Sequence, residues 1–330
     1  MQKRIAIVKL TSMGDVALAA FVPQLIKQFA LKDCSIDWFC DLDFASVIQD
    51  NPFIDTIYPF AIRQLKRSKK GFLPIFNQLR LAKLNNYDMI IDLQGTLKSA
   101  IVSRLIKAKS SVIYGFSFKS AREGIASVFY NEKYKIKYDQ NIVRRNLELA
   151  CFAIGIDYAN FNASLDGLLP CLYQVDLPQN FLQAKEVISL AKIQLGVRDV
   201  ILLNPFASKT TKNVPIDAIA NLIGKNNDKL FICHYYNEQQ KKMLSPLLAK
   251  SNCIMLPKPL SIKDLKALII NNIDASIGAD SGINHFASLC GKKSLTVFFN
   301  DLGERNILKS HINLHCKPDE IEKTFSKLFK

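Results

Sequence analysis

Short apolar segments alternate with amphipathic segments of helical length along most of this chain of 330 residues. This alternation of strands and helices is typical of parallel sheets that are covered by helices on both faces. A chain of this length suits two domains of about 150 residues each. The sequence therefore predicts an α/β protein with two parallel sheets.

The pattern places the individual elements as follows. In the first half, the apolar runs predict strands at 5–10, 36–40, 56–58, 89–93 and 112–114, with helices at 16–30, 75–85, 99–106 and 141–154. In the second half, they predict strands at 200–204, 230–234, 253–255, 273–277 and 294–298, with helices at 216–223, 238–248, 262–270 and 283–290. Turn-forming residues between Pro170 and Pro178 interrupt the alternation, and we expect the linker there.

The first predicted strand runs directly into the polar turn Thr11-Ser12-Met13-Gly14-Asp15. Such a turn lies at the carboxyl edge of a parallel sheet, where open α/β folds bind their ligands. Gly14 allows a tight turn and a close approach of the backbone to a ligand. Asp15 opens the helix that follows, so its carboxylate suits either a helix cap or a catalytic role.

A second strand–turn–helix segment, residues 277–287, lies near the other end of the chain. Asp280, Ser281 and Gly282 supply a cap, a hydroxyl and an unhindered backbone at a helix N-terminus, where N–H groups and the helix dipole favour a phosphate. His285 falls one turn into this helix, and an isolated histidine is more often structural than catalytic. The two edges together predict two α/β units that face each other across a cleft.

The chain is strongly basic, with a formal net charge of +15 and a pI near 9.4, which indicates an anionic partner or surface. An anionic membrane face is one candidate, since each basic residue near a bilayer adds about 1 kcal/mol of attraction. Nucleic acid is another, but no recognised binding motif is present. A solvated basic face is the simplest alternative. Much of the excess lies in the first half, at Arg63, Lys66, Arg67, Lys69, Lys70, Lys133, Lys135 and Lys137.

Several classes of protein are not favoured by the sequence. No apolar run reaches the roughly 18 residues of a membrane span, and Lys3-Arg4 lead into a strand rather than a signal peptide. The eight cysteines are scattered without a Cys-x-x-Cys pair, so reduced thiols in a cytoplasmic protein are expected, without a metal centre. Asp41 and Asp43 form an Asp-x-Asp pair without supporting ligands, and a turn or helix cap accounts for them better than a metal.

Two segments, Lys9–Val16 and Gly278–His285, resemble the signatures of the ADP-heptose glycosyltransferases of lipopolysaccharide core synthesis, glycosyltransferase family 9. Further segments resemble the members of that family that add the first heptose to Kdo on lipid A. These are Ala61-Ile62-Arg63, Asp92-Leu93-Gln94-Gly95, Lys98-Ser99-Ala100, Ala121-Arg122-Glu123, Ala126-Ser127, Phe129-Tyr130-Asn131, and Lys212 with Pro215. The similarity extends from residue 5 to about residue 300.

The resemblance implies a GT-B fold, with an acceptor-binding Rossmann-like domain at 1–174 and a nucleotide-sugar domain at 175–317. The C-terminal helix of such folds often packs back on the first domain, and residues 318–330 are the candidate here. ADP-heptose and Kdo-lipid A are the implied substrates, without metal, other cofactor or nucleic acid. The implied location is the cytoplasmic face of the inner membrane, held by electrostatic contact. A heptosyltransferase acting on a later inner-core heptose and a GT-B nucleotide-sugar epimerase are the alternatives.

Inverting transfer passes through an oxocarbenium-like state and needs a carboxylate base, together with positive charge or N–H dipoles for the leaving diphosphate. The family places its base at the position of Asp15. The implied acceptor-binding residues are Ser12, Met13, Gly14, Arg63, Lys66, Arg67, Gln94, Lys98 and Arg122, whose arginines suit the Kdo carboxylate and the lipid A phosphates. The implied donor-binding residues are Ser208, Lys209, Lys212, Glu238, Asp280, Ser281, Gly282 and His285.

Within the donor set, Lys212 is expected to bind the leaving diphosphate, with Ser208 and Lys209 as further donors. The chain departs from the family pattern at Ala207, where a hydroxyl residue is usual. Glu238 is the candidate for the adenosine ribose, and Asn237 is the alternative if the register differs by one residue.

Overall fold

The computed structural model describes residues 2–29, 31–61, 73–159, 179–207, 209–299, 305–307 and 312–329, apart from the side chains of Phe29, Leu73, Pro74, Gln179 and Asn180. The chain forms two compact units, Met1–Leu168 and Leu169–Lys330. The division falls within 160–178, as do the predicted linker and the predicted boundary at residue 174. Arg63, Lys66, Arg67 and Ser208 also lie outside the described residues.

The first unit contains a six-stranded sheet and its helices. Its strands are β1 (Arg4–Val8), β2 (Ser35–Asp41), β3 (Thr56–Phe60), β4 (Met89–Asp92), β5 (Val112–Phe116) and β6 (Glu132–Tyr134). Its described helices are α1 (Met13–Ala19), α2 (Val22–Phe29), α3 (Ala45–Ile48), α4 (Leu73–Lys83), α5 (Leu97–Ile106) and α6 (Ile142–Ile154). Short 3₁₀ helices occur at Leu42–Phe44 and Gly124–Phe129.

The second unit repeats this organisation with another six-stranded sheet. Its strands are β7 (Asp199–Asn204), β8 (Lys229–Cys233), β9 (Cys253–Met255), β10 (Ala275–Ala279), β11 (Lys293–Val297) and β12 (Asn313–Cys316). Its described helices are α7 (Gln179–Leu195), α8 (Ile216–Gly224), α9 (Glu238–Leu244), α10 (Ile262–Asn272), α11 (Gly282–Leu289) and α12 (Ile321–Leu328). Its 3₁₀ helices are Thr210–Lys212, Ser245–Ala249 and Pro318–Glu320.

Both sheets have the same topology. The strand order is β3-β2-β1-β4-β5-β6 in the first unit and β12-β11-β10-β7-β8-β9 in the second, and every strand pair is parallel. Counted from the first strand of each unit, both orders are the doubly wound order of a Rossmann domain. The prediction of two Rossmann-like units with parallel sheets is confirmed.

The apolar runs that predicted the strands are the buried residues of the sheets. All residues of β8 and β10 are buried, as expected for parallel strands covered on both faces. The core of the first unit includes Val8, Phe39 and Ile90, and that of the second includes Leu203 and Phe231. Each unit therefore has a hydrophobic core of its own.

The helix predicted at 16–30 is two helices, α1 and α2. Pro23 lies in the first turn of α2; it has no N–H, and its ring would collide with the carbonyl of Ala19 in a continuous helix. A proline is tolerated in a first turn, where no intrahelical partner exists for its N–H. The break therefore falls between Ala19 and Val22.

Four elements were not predicted from the sequence. The edge strands β6 and β12 are short and carry polar residues, so they lack an apolar run. The helix α3 is a single turn. In α7 a buried stripe that includes Phe181, Ala184 and Ile188 is obscured by apolar residues on the exposed side, among them Leu190 and Ile193.

The C-terminal helix α12 packs against β11, β12 and α8, all in its own unit. Ile321, Phe325 and Leu328, which lie on one side of this helix, belong to the core of the second unit. The packing of residues 318–330 on the first domain stays a prediction. Within the described residues, none of the helices is both long and apolar enough to cross a membrane.

Candidate active site

In each sheet, two central strands lie side by side, and the loops that follow their carboxyl ends carry predicted site residues. In the first sheet β1 lies beside β4, with Val8 opposite Asp92, and in the second β10 lies beside β7, with Gly278 opposite Asn204. In both sheets this pair is where the strand order reverses, and the crevice outside the carboxyl ends of such strands binds ligands in open α/β folds. We call these places the first edge, after β1 and β4, and the second edge, after β7 and β10.

The turn at the first edge differs from its prediction at Asp15. Helix α1 begins at Met13, so Ser12 is the N-cap and Asp15 is the third helical residue. The backbone N–H and the hydroxyl of Ser12 both donate to Asp15 Oδ2, at 3.2 and 3.1 Å. This reach back to the N-cap is one half of a capping box and places the carboxylate at the start of the helix. The prediction of Asp15 as the N-cap is wrong, because the N-cap is Ser12, three residues earlier in the chain.

The end of β4 supports that turn. Gln94 Oε1 accepts from the N–H of Thr11 at 3.1 Å and thereby joins the loops after β1 and β4. Asp92 is fully buried and accepts from the N–H groups of Gln94 and Gly95 and from the Tyr130 hydroxyl, at 2.9, 3.1 and 2.8 Å. Burial raises the pKa of Asp92, partly offset by these hydrogen bonds. Asp92 therefore has a structural role at this edge.

Lys9 is a buried cation beneath the first edge that the sequence did not single out. Its side chain is 2% exposed, and its ammonium donates to the carbonyl of Leu93 at 2.8 Å. Burial lowers the pKa of Lys9, while the negative charges of Asp15 and Asp92 act in the opposite direction. The amine thus lies below the loops that carry Asp15 and Gln94, and it is bound there by the Leu93 carbonyl.

Two predicted acceptor-binding cations flank this edge. Gly95 has a φ of +66°, and a side chain there would come within 3.3 Å of the Arg122 backbone nitrogen, so the loop of Arg122 packs directly on the end of β4. The Arg122 side chain is exposed. Lys98 is also exposed, on the first turn of α5. The structure therefore groups Ser12–Asp15, Gln94 and Arg122 around one strand end, with Lys98 on the helix that follows.

Asp280 is the centre of the second edge. Its carboxylate, in a side chain that is 8% exposed, is 2.6 Å from Lys212 Nζ and 3.0 Å from His285 Nε2, and it accepts from Asn306 Nδ2 at 3.3 Å. Burial alone raises the pKa of Asp280, but the His285 hydrogen bond and the Lys212 charge hold it well below its usual range. The carboxylate therefore binds side chains from three separate parts of the second unit.

The backbone at the second edge is held by a very close approach of two strands. A Cβ at Gly278 would lie 2.0 Å from the carbonyl oxygen of Asn204, so only glycine fits at this position of β10. Asn204 Nδ2 donates to the Ser281 hydroxyl at 2.6 Å. Ser281 is the N-cap of α11, and Gly282 is the first helical residue. Both therefore lie where a helix N-terminus presents free N–H groups.

A cavity of about 310 Å³ opens beside this cluster. Polar and apolar side chains line it, namely Lys209, Thr211, Lys212, Asp280, Val297, Phe298 and Phe299. Lys209 is exposed, and Lys212 ends the 3₁₀ helix that follows β7. The cavity thus combines cations, one carboxylate and an aromatic wall.

The structure also describes the ribose candidates. Asn237 is the N-cap of α9, and its side chain accepts from the Gln240 N–H at 2.9 Å. Glu238 is the first helical residue; its side chain is 75% exposed and 3.7 Å from Lys241 Nζ. Asn237 is thus engaged in capping, whereas Glu238 presents its carboxylate to solvent.

The Asp41–Asp43 pair forms a helix cap, as predicted. Asp41 Oδ1 accepts from the Asp43 N–H at 3.1 Å and caps the 3₁₀ helix Leu42–Phe44. Among the described residues, no group of three or more His, Cys, Asp or Glu side chains is arranged to hold a metal ion. The described cysteines carry free thiols, and burial raises the pKa of Cys40 and Cys316 to about 12.

Comparisons with known proteins agree with this arrangement. A family model described as glycosyltransferase family 9 (heptosyltransferase) matches residues 78–305. The lipopolysaccharide heptosyltransferase 1 of Campylobacter coli is 31% identical over 323 residues, which are 94% of this chain and 88% of that protein. This chain belongs to glycosyltransferase family 9.

Further relatives of this family 9 glycosyltransferase extend the comparison. The lipopolysaccharide heptosyltransferase 1 of Escherichia coli K12 is 27% identical, over 89% of this chain and 87% of its own length. The solved structure of E. coli heptosyltransferase WaaC with ADP-2-deoxy-2-fluoro heptose matches with a TM-score of 0.75 and 19% identity, over 99% of this chain and 100% of that chain. The structural match confirms the predicted GT-B fold.

Several residues of this glycosyltransferase were missed by sequence reasoning. Asn306 contacts Asp280, Phe298 and Phe299 line the cavity, and Lys9 lies beneath the first edge. Lys9 belongs to the first signature and breaks an otherwise apolar strand, which is the signal that could have identified it. Asn306 and the phenylalanines carry no comparable signal, because their loops meet the site only through the fold.

Proposed function

We propose that this enzyme transfers L-glycero-D-manno-heptose from ADP-heptose to the Kdo of Kdo-lipid A, with inversion at the anomeric carbon and Asp15 as general base. The enzyme is a heptosyltransferase of lipopolysaccharide core synthesis by its family and its curated relatives. Those relatives are named lipopolysaccharide heptosyltransferase 1. The sequence resemblance to members that act on Kdo supports the same acceptor.

The observation that carries the assignment of the base is the contrast between the two carboxylates of the first edge. Asp92 is fully buried and engaged by three donors. Asp15 is partly exposed, and among the described residues its hydrogen bonds are both made by Ser12 to Oδ2. Since a general base must reach the proton that it accepts, Asp15 suits this role and Asp92 does not.

The donor is assigned to the second edge. A diphosphate needs cations and N–H donors: Lys212 lines the cavity, and Ser281 and the first N–H groups of α11 directly follow Asp280, which also lines it. Phosphate oxygens would share Lys212 with Asp280, which remains ionised because His285 also binds it. A related fold is known in complex with an ADP-heptose analogue, which supports a nucleotide-sugar donor.

The proposed reaction is a single displacement. The acceptor hydroxyl oxygen forms a bond to the anomeric carbon on the face opposite ADP, while the bond from that carbon to the ADP oxygen breaks. The hydroxyl proton moves to Asp15, and the bonding electron pair leaves with ADP. Lys212 and the N-terminus of α11 stabilise the charge that develops on the diphosphate. No metal ion takes part in this scheme.

Transfer from ADP-heptose to Kdo-lipid A in the presence of EDTA tests the proposal. The wild-type enzyme is expected to form product, and Asp15→Asn to lose at least about 10²-fold in kcat, the usual contribution of a general base. Asparagine keeps an oxygen for the Ser12 hydrogen bonds but accepts a proton poorly. Asp43→Asn is the matched control, because it neutralises an exposed carboxylate in the 3₁₀ helix that follows β2.

The same assay separates the alternatives. Product formed only on an acceptor that already carries a heptose would move the enzyme to a later inner-core step, and consumption of ADP-heptose without acceptor would indicate an epimerase. Full activity of Asp15→Asn would remove Asp15 from the role of base. Loss of activity on adding EDTA, restored by a divalent cation, would contradict the metal-free scheme.

A further inference from the structure

Exposed apolar side chains gather on one surface of the first unit, formed by α5, the 3₁₀ helix Gly124–Phe129 and the turn that precedes it. Their exposed fractions range from 38% for Leu97 to 68% for Val128. We call this set the α5 surface; its members are Leu97, Ile101, Phe118, Ile125 and Val128.

The periodicity of the two helices places these side chains together. Leu97 and Ile101 are four residues apart on α5, and Ile125 and Val128 are three apart on a 3₁₀ helix, so each pair lies on one face. The two helices pack against each other, and their opposite faces are buried. The Phe118 ring extends the same surface, because it lies within 3.1 Å of the position of a Cβ on Gly124.

Basic residues flank members of the α5 surface along the chain. The side chains of Lys98, Lys119 and Arg122 are exposed and adjoin its apolar members in the chain. Glu123, an acidic residue in the same segment, accepts from the N–H of Leu97 at 2.7 Å and so serves partly as a cap for α5. An apolar centre with a cationic rim is the composition of surfaces that bind at an anionic membrane interface.

The α5 surface adjoins the first edge. Helix α5 follows Gln94 and Gly95 directly, and the loop of Arg122 packs on Gly95. An acceptor sugar held at this edge would therefore have its lipid portion near the α5 surface. This placement rests on the proposed function, because only a lipid-linked acceptor makes it useful.

We propose that the α5 surface docks this enzyme on an anionic phospholipid bilayer, with Phe118, Ile125 and Val128 inserted at the interface and the surrounding cations at the headgroups. Exposed apolar residues grouped in this way mark interaction sites. A second copy of the chain is a poorer occupant, because a two-fold contact would bring the rim of Lys98, Lys119 and Arg122 against an identical rim. The net charge of +15 opposes that contact and favours an anionic partner.

Co-sedimentation of the full-length protein with vesicles tests this proposal. The probes are vesicles of phosphatidylcholine alone and of phosphatidylcholine with phosphatidylglycerol, without donor or acceptor. The double variant Ile125→Ser/Val128→Ser is expected to bind the anionic vesicles about tenfold more weakly than wild type, because it removes apolar side chains that insert. The matched control is Leu190→Ser/Ile193→Ser on α7, whose side chains are 54% and 79% exposed.

Three results would overturn the proposal. The first is that the Ile125/Val128 variant binds vesicles as strongly as wild type. The second is that the α7 control loses as much vesicle binding as that variant. The third is that wild type is a dimer at assay concentration and that only the Ile125/Val128 variant disrupts the dimer. Circular dichroism establishes that each variant is folded. Transfer to a deacylated, water-soluble Kdo acceptor separates the two proposals: docking predicts that the Ile125/Val128 variant keeps wild-type turnover on it. Vesicle binding without any heptosyl transfer would contradict the proposed function and leave docking in place.

Discussion

At the scale of single residues, the second edge depends on how Asp280 is shared. The carboxylate binds Lys212, which lies in the loop after β7, and His285, which lies in α11. Lys212 is 36% exposed and Asp280 8%, so the ammonium is the more accessible member of the pair, although both residues line the cavity. The ion pair holds the ammonium where a phosphate oxygen can reach it.

Replacement of Lys212 is expected to weaken donor binding. Lys212→Ala removes the cation and leaves the ionised Asp280 near the phosphates, so the Kd for ADP should rise by about tenfold to a hundredfold. Calorimetric titration with ADP measures this change. Lys225→Ala is the matched control, since it also breaks a lysine–carboxylate pair, with Glu322, but on an exposed surface. Equal ADP affinity of Lys212→Ala and wild type would contradict the assignment.

His234 is expected to make the free energy of unfolding depend on pH. It is 1% exposed at the end of β8, and burial lowers its pKa from 6.5 to about 4, against a smaller opposing interaction with the Leu260 backbone. Between these values the unfolded chain binds a proton that the folded chain does not. The free energy of unfolding should therefore fall as pH drops from 6.5 towards 4, by about 3 kcal/mol in total from this residue.

Denaturant unfolding at pH 7 and pH 5 tests the role of His234. In His234→Gln the loss of stability between the two pH values is expected to be smaller than in wild type, because the group that binds the extra proton on unfolding is gone. Carboxylates contribute equally to both proteins, so only the difference between the two losses is informative. Identical losses would show that His234 is not the cause.

At the scale of elements, the second edge requires β7 and β10 to lie very close at Gly278. Gly278→Ala places a methyl group 2.0 Å from the Asn204 carbonyl oxygen, so the strands must separate. We expect destabilisation of about 3 kcal/mol, at the upper end for overpacked cores. Urea unfolding measures it. Gly224→Ala is the control: its methyl group would meet only the flexible end of Lys250, and stability should be unchanged or higher.

How far the elements could be predicted depended on how strongly each is buried. The central strands carry continuous apolar runs and were predicted to within about two residues, whereas β6 and β12 have polar edge sequences without a run. Asp15 does lie at the start of α1, as predicted, but it is not the N-cap. The N-cap is Ser12, because a serine suits that position as well as an aspartate does. Lys212, His285 and Asp280 were all predicted to bind the donor, but their contacts with one another were not predicted, and Asn306 approaches Asp280 from a distant loop.

At the scale of the whole molecule, two units of the same topology are proposed to bind two different anionic ligands. In the proposed reaction the donor diphosphate is bound by a few groups around Asp280, whereas the acceptor implied by the sequence carries a carboxylate and several phosphates. The basic residues of the first half suit that acceptor. Arg63, Lys66 and Arg67 are the predicted contacts, and this assignment stays a prediction because they lie outside the described residues.

Removal of these three charges is expected to affect the acceptor alone. The triple variant Arg63→Gln/Lys66→Gln/Arg67→Gln should raise the KM for Kdo-lipid A by about tenfold or more, because charge-assisted contacts are lost, while the Kd for ADP is unchanged. Steady-state kinetics with each substrate varied in turn distinguishes the two. Lys69→Gln/Lys70→Gln is the control for general charge loss in the same segment. A defect confined to ADP binding would contradict the prediction.

The contact between Gly278 and Asn204 has a consequence for directed evolution of donor specificity. A mutant library can randomise Thr211, Phe298 and Phe299, which line the cavity and whose side chains do not join the two strands. Codon 278 must stay fixed, because any other amino acid there displaces the strand that carries Asp280 and would be scored as inactive whatever its effect on the sugar. A library that keeps Gly278 unchanged tests donor recognition without losing variants to misfolding.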